Sequence, residues 1–385
     1  MPQAIKKLVA HKMNNSVDWL IFGAVFILVS IGIMMIYSSS YYIAGERASF
    51  GNNRFHFVLR QSFAVIIGVV GMWIASHIDY RNLKKLILPG YILACGMLVY
   101  VRLFGEVINN VRRWISIGPL SFQPSEFAKV MVILMLALYI SGRKVKENSW
   151  KNSAAGLAVS GAIIALPVGL VLWGRNLSTA IIIMSIGLVV IFVTSKFFWR
   201  YIILAGSLVS GLLSYLFLIA RPAQHYHWDR YMLWRDPFAD PMGIGYQTIQ
   251  SLYAVASGGW FGLGLGNSNQ KLMFMPEPYN DFIFAIIVEE LGFFGALIVL
   301  SLFGVLIWRG IITAMKATDM FGTIIAMGAM VLISVQVAIN VGVVTNSIPN
   351  TGIPMPFISY GGTSVVFILG LMGILLNISR QAKTE

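Results

Sequence analysis

The chain has 385 residues, 57% hydrophobic and 11% charged, with a mean hydropathy of +0.77 and a formal net charge of +13. These values exclude a soluble globular domain and specify an integral membrane protein, because apolar runs of 18 residues or more recur along the chain and cross about 30 Å of hydrocarbon as helices. The only cysteine, Cys95, can form no intrachain disulfide.

The expected fold class is all-α, a single polytopic domain over 1–385. Ten spans are predicted in chain order, at about 17–38, 56–76, 86–104, 126–142, 152–173, 177–195, 198–220, 281–308, 320–346 and 356–378. An even number places both termini on one side. The first run is too long for a signal segment and lacks a small-residue cleavage pattern, so the start is expected to be retained and cytoplasmic. The segments then predicted to be cytoplasmic hold 16 Lys and Arg, against five in the short loops opposite: Arg47, Arg54, Arg112, Arg113 and Arg175. This positive-inside bias accounts for most of the net charge, with anionic lipid head groups as the partner, and gives no reason to invoke nucleic acid.

Three outer connections carry the unusual chemistry: 105–129, with Trp and paired arginines; 221–280, a large extracytoplasmic loop within the domain; and 347–362, dense in Pro and Gly. Within the long loop, 246–258 has the pattern of a short amphipathic interfacial helix. No internal repeat or matched pair of broken helices is evident.

Asp281 stands where the long loop meets the eighth span. It reads either as a first-turn acid facing the positive end of a helix dipole or as a general base at the mouth of an outward cavity, and position alone does not separate the two. On a continuous helix Glu289 would lie roughly 80° round and about 12 Å deeper, with Glu290 on roughly the opposite side, so neither forms a close catalytic pair with Asp281. Intramembrane acids need partners, and structural pairing is the favoured reading of Glu289 and Glu290. Arg112, Arg113 and Lys129 suit a phosphate or pyrophosphate group. The alternatives are that the arginines snorkel to lipid phosphates and that Lys129 pairs with Glu126 at i,i+3. Gly262, Gly264 and Gly266 follow no strand and read as a tight loop, not a dinucleotide fingerprint. His225 and His227 have no Cys or further His nearby to complete a zinc site.

The blocks 113-RWISIGPLSFQPSEFAK-129, 230-RYMLWRDPFADPMGIGYQTIQS-251, 264-GLGNSNQKLMFMPEPYNDFIFAIIVEELG-292 and 352-GIPMPFISYGGTS-364 resemble, in order and spacing, the SEDS family of bacterial membrane proteins. The resemblance runs over nearly the whole chain, and the NSNQK and PEPYNDFIFA wording is closer to the FtsW/SpoVE branch than to RodA. A departure occurs at 173-WGRNLSTA-180, where Gly174, Arg175 and Asn176 replace an acidic-Pro-Asp run and put any role of that acidic site in doubt.

The resemblance implies a ten-helix peptidoglycan glycosyltransferase that polymerises lipid II outside the cytoplasmic membrane, serving division, shape or sporulation, beside a class B penicillin-binding protein. It carries the family's essential aspartate onto Asp281, deprotonating the acceptor hydroxyl. Arg112, Arg113, Lys129 and Lys271 are the expected pyrophosphate or sugar-phosphate contacts, with Glu126, Glu289 and Glu290 in structural or secondary roles. A divalent cation would help neutralise the pyrophosphate, but no ligand cluster specifies one. The alternatives are a lipid II flippase and a noncatalytic scaffold of the cell-wall synthase.

Overall fold

A computed structural model describes residues 16–108, 111–117, 120–142, 150–194, 206, 226–243 and 245–382. Its elements are α1 (Trp19–Glu46), α2 (His56–His77), α3 (Lys84–Phe104), β1 (Glu106–Ile108), β2 (Val111–Ile117), β3 (Leu120–Phe122), α4 (Pro124–Gly142), α5 (Trp150–Trp173), α6 (Leu177–Thr194), α7 (Tyr226–Arg235), α8 (Tyr246–Gly258), α9 (Ile283–Lys316), α10 (Met320–Val344) and α11 (Gly362–Arg380). Among the described residues nine helices are long and apolar enough to span a membrane, making the protein multi-pass and all-α. Apart from residue 206, the predicted span at 198–220 lies outside the described residues, as do His225 and the side chain of His227.

Glycines on the helices admit close backbone approach. A Cβ on Gly373 of α11 would stand 2.4 Å from the carbonyl oxygen of Met72 on α2, and one on Gly32 of α1 would stand 2.4 Å from that of Phe357. Lipid tails are as apolar as the side chains they would replace, so close backbone approach and dispersion, not exclusion from water, hold such contacts. At the end of the bundle that holds the start of α1, ion pairs tie the turns together. Asp18 caps α1 through the amides of Leu20 and Ile21 and receives Arg309 of α9 at 2.6 Å, while Arg81 reaches Asp319 at 3.0 Å.

Two features depart from plain spanning helices. The connection predicted as a loop over 105–129 carries a three-stranded antiparallel sheet, in the order β1-β2-β3, before α4 begins at Pro124. The 34-residue α9, which would be about 51 Å long if straight, is broken at Gly292, with φ 70° and ψ −172°. Residues 283–290 are buried on all sides, and 293–316 are long enough to cross by themselves at about 36 Å.

The break exposes carbonyls, and the glycine loop after α8 satisfies them. The amides of Leu263 and Gly264 donate to the carbonyls of Glu289 and Glu290 at 2.9 and 3.0 Å, and those of Phe293 and Phe294 donate back to Gly259 and Trp260. Gly262, Gly264 and Gly266 all have positive φ, which explains the glycine spacing as backbone geometry. A Cβ on Gly292 would stand 2.3 Å from the amide nitrogen of Gly262. Gly292→Ala is therefore expected to reduce the folded yield and to lower stability by at least about 1–3 kcal/mol from backbone strain alone. Gly23→Ala, where a Cβ meets nothing within 4 Å, serves as the control. Thermal unfolding in detergent checks both, and an unchanged Gly292→Ala midpoint would show that the break is not required.

Candidate active site

The 347–361 segment folds back into the bundle between α10 and α11. Ile353, Met355, Phe357, Ile358 and Ser359 are buried. Irregular backbone survives at such a position only when its polar groups are satisfied by protein. Here Asn340 of α10 donates to the carbonyls of both Asp281 and Ile353 at 2.7 and 2.8 Å. Gln61 of α2 accepts from the amide of Gly361 at 3.1 Å, Ser359 Oγ accepts from the amide of Met355 at 2.7 Å, and the amide of Tyr360 donates to the carbonyl of Tyr279 at 2.9 Å. The rings of Phe57, Tyr279 and Tyr360 cluster with centroids 4.1 to 5.8 Å apart. The Tyr-Gly-Gly motif thus docks the turn bearing Asp281 against α2 and α10.

These contacts close a cavity of about 130 Å³. Arg113 and Trp114 of β2, Glu126 and Lys129 of α4, and Gln336 of α10 form its charged and polar wall, completed by Asn280 and Gly352 beside Asp281. Lys129 is 2% exposed and paired with Glu126 at 2.8 Å. Gln336 is fully buried, and neither of its amide atoms has a hydrogen-bond partner among the described residues. An unsatisfied buried amide costs about 1–3 kcal/mol, so its place on a cavity wall fits a group that meets a ligand.

Asp281 precedes α9 instead of lying within it, at the rim of this cavity: a Cβ on Gly352 would stand 3.5 Å from Asp281 Oδ2. Gly352 has φ +67°, so the position favours glycine on both counts. Burial pushes the Asp281 carboxyl up to about 6, opposed by the backbone hydrogen bond and by Arg230 of α7, and reinforced by Glu277. Arg230 is held close by donating to the carbonyl of Asn350 at 2.9 Å.

The structure divides the expected contacts. Arg113 and Lys129 line the cavity. Arg112, on the next residue of the same strand, donates to the carbonyl of Leu103 at 2.5 Å, and it is absent from the cavity wall. Lys271 also lies away from the wall, because its ammonium pairs with Glu290 at 2.9 Å and donates to Ser38 Oγ at 3.1 Å. Glu290 accepts from Ser38 of α1 at 2.7 and 2.8 Å, and Glu289 accepts from Ser268 and from the amide of Asn269. Both acids anchor the glycine loop. The departing segment 174–176 borders the cavity: Arg113 donates to the carbonyl of Arg175, and Asn176 lines the wall while accepting from the amide of Thr179 at 3.2 Å.

Sequence reasoning missed Gln336, Asn340 and Arg230. The first two carried a signal, since two amides at i,i+4 share one face of an otherwise apolar span. Arg230 carried none, being one of several cations in a long loop. Among the described residues no group of three or more His, Cys, Asp or Glu side chains is placed to hold a metal ion.

Residues 18–384 match the family model described as cell cycle protein, that of FtsW, RodA and SpoVE. Among curated relatives, the stage V sporulation protein E of Bacillus subtilis (strain 168) is 38% identical, covering 96% of this chain and 99% of its own. The probable peptidoglycan glycosyltransferase FtsW of Saccharophagus degradans is 35% identical, covering 96% and 94%. Among solved structures, a chain of a peptidoglycan synthase complex studied for its coordination of polymerization and crosslinking aligns at a TM-score of 0.76 with 28% identity, covering 94% of this chain and 98% of that one. The rod shape determining protein RodA of Thermus thermophilus aligns at 0.68 with 25% identity, covering 96% and 98%.

Proposed function

Because the chain belongs to the cell cycle protein family of FtsW, RodA and SpoVE, we propose that it is a peptidoglycan glycosyltransferase polymerising lipid II, with Asp281 as the general base. It falls in the FtsW/SpoVE branch. The observation that carries the catalytic assignment is the juxtaposition of a carboxylate, at the rim, with Arg113 and Lys129 on the wall of the same polar cavity.

The chemistry follows from that placement. The Asp281 carboxylate takes the proton from the acceptor sugar hydroxyl as its oxygen bonds to C1 of the donor sugar. The bond from C1 to the pyrophosphate oxygen breaks, and its electron pair leaves with undecaprenyl pyrophosphate. Arg113 and Lys129 offset the developing charge, as cations aimed at a leaving group do in a water-poor site. Gln336 offers its amide to a sugar or phosphate oxygen. Lys271 and Glu290 hold the glycine loop, and Arg112 holds the sheet against α3. The excess of Lys and Arg at the opposite end of the bundle supports an active site on the outer face with both termini in the cytoplasm. A class B penicillin-binding protein is the expected partner for crosslinking, a reading supported by the likeness to a chain of a synthase complex.

The test is strand formation by the purified protein from lipid II, with and without that partner. A chain that carries lipid II across vesicles without making strands would be a transporter, which sinks the assignment. The raised Asp281 pKa adds a pH prediction. Only the ionised carboxylate accepts a proton, so the rate should fall about tenfold per pH unit below about 6 and level off above it. A profile flat from pH 5 to 8 under rate-limiting chemistry would remove Asp281 from the base role.

A further inference from the structure

Gln336 of α10 lines the cavity beside Asp281 at 0% exposure, and neither its Nε2 nor its Oε1 has a hydrogen-bond partner among the described residues. Other polar side chains on the same wall are occupied. Lys129 pairs with Glu126 at 2.8 Å, Ser178 donates to the carbonyl of Thr351 at 2.5 Å, and Thr363 donates to the carbonyl of Ser121 at 2.7 Å. Asn340, about one turn further along α10, donates to two carbonyls. Gln336 therefore keeps a whole carboxamide for a ligand.

A carboxamide carries both a donor and an acceptor, so the ligand that satisfies it brings one of each. An ionised pyrophosphate offers acceptors alone and would set its negative oxygens against Oε1. Arg113 and Lys129, which donate and do not accept, suit that anion; Gln336 does not. A sugar ring carries donors and acceptors on adjacent carbons. In a 2-acetamido sugar, the kind lipid II contains, the N–H on C2 stands beside the oxygen on C3. The cavity also has an apolar part, formed by Ile182 of α6 and by Ile353, whose carbonyl Asn340 holds; they are 1% and 4% exposed. An acetyl methyl group fits such a surface.

We propose that Gln336 reads the sugar of lipid II and not its pyrophosphate. Oε1 accepts from the N–H of a 2-acetamido group, Nε2 donates to the neighbouring sugar oxygen, and the acetyl methyl lies against Ile182 and Ile353. The proposal rests on the lipid II assignment and divides the cavity into a cationic part for the leaving group and an amide part for the sugar.

Binding to the full chain in phosphatidylcholine nanodiscs tests it, with lipid II and undecaprenyl pyrophosphate as the ligands with and without sugar. Gln336→Met keeps the volume and removes both polar atoms. It should weaken lipid II binding about tenfold, the scale of the lost neutral hydrogen bonds, and leave undecaprenyl pyrophosphate binding within about twofold. Because it deletes an unsatisfied buried amide, it should not lower the thermal midpoint. The wild-type chain should bind lipid II with hydroxyls in place of its 2-acetamido groups about fourfold more weakly, the worth of one buried methyl group. Equal weakening of both ligands by Gln336→Met would place the amide on the pyrophosphate, and unchanged binding or a lowered midpoint would make it structural; each overturns the proposal. A wild-type chain that binds the hydroxyl analogue as well as lipid II overturns the acetamido contact. Binding is read without turnover, so a chain that binds lipid II with this pattern but makes no strands removes the glycosyltransferase assignment and leaves the Gln336 contact in place.

Discussion

Asp281→Asn is expected to lower lipid II polymerisation by about 10²- to 10⁴-fold, the usual contribution of a positioned general base, while leaving the protein folded and more resistant to heat. The two effects have one cause. Burial raises the pKa of the carboxyl to about 6, so the folded chain binds its proton more tightly than the unfolded chain does. Stability therefore falls as pH rises from about 4 to 6, and above that range the ionised carboxylate costs the fold about 3 kcal/mol. Asparagine removes the charge at nearly the same volume. Polymerisation assays and thermal unfolding at pH 8 measure both quantities. Full activity in the variant would end the general-base assignment, and lower stability at pH 8 would show that the carboxylate is a structural partner.

Lys129→Met is expected to be the most damaging of the charge substitutions. Lys129 and Glu126 are both buried, and deleting one member of such a pair leaves an uncompensated charge at about 3–5 kcal/mol. Activity loss in the single variant cannot distinguish a collapsed site from a missing cation. The double variant Lys129→Met with Glu126→Gln separates them, because it removes both charges and should recover most of the folding stability. If Lys129 offsets the pyrophosphate, the double variant stays inactive despite folding. If strand formation returns with stability, the pair is structural and Arg113 is left as the charged contact on the wall. Unfolding and polymerisation measured on all four chains complete the cycle.

Much of the architecture was legible in the sequence, because spanning a membrane is a local demand. Each helix must satisfy its own backbone and be apolar over a fixed length, so hydropathy alone placed α2, α3, α4 and α10 within a few residues, while α1 runs eight residues beyond its predicted end. The break in α9 was not legible in that way: apart from Glu289 and Glu290 the run through Gly292 stays apolar, and only the docking of the glycine loop makes a break there favourable. The small sheet at 106–122 was missed for a related reason, since three short strands stabilise one another and none stands alone.

The sequence by itself determined the membrane class, the order of the spans and the candidate Asp281, whose neighbouring motif is contiguous and specific. What only the tertiary structure decided is the division of labour among the charges. Arg112 and Arg113 are adjacent in sequence, yet only Arg113 lines the cavity; Lys129 and Lys271 looked equivalent, yet one lines the cavity and the other is bound to Glu290 and Ser38. Gln336 and Asn340, ordinary amides in an apolar run, became a cavity wall and the clamp on the Asp281 turn. Hydropathy and periodicity are properties of neighbours along the chain. A buried charge is settled by the partner it meets in a low-dielectric interior, and here that partner comes from as far away as Ser38, 252 positions from Glu290.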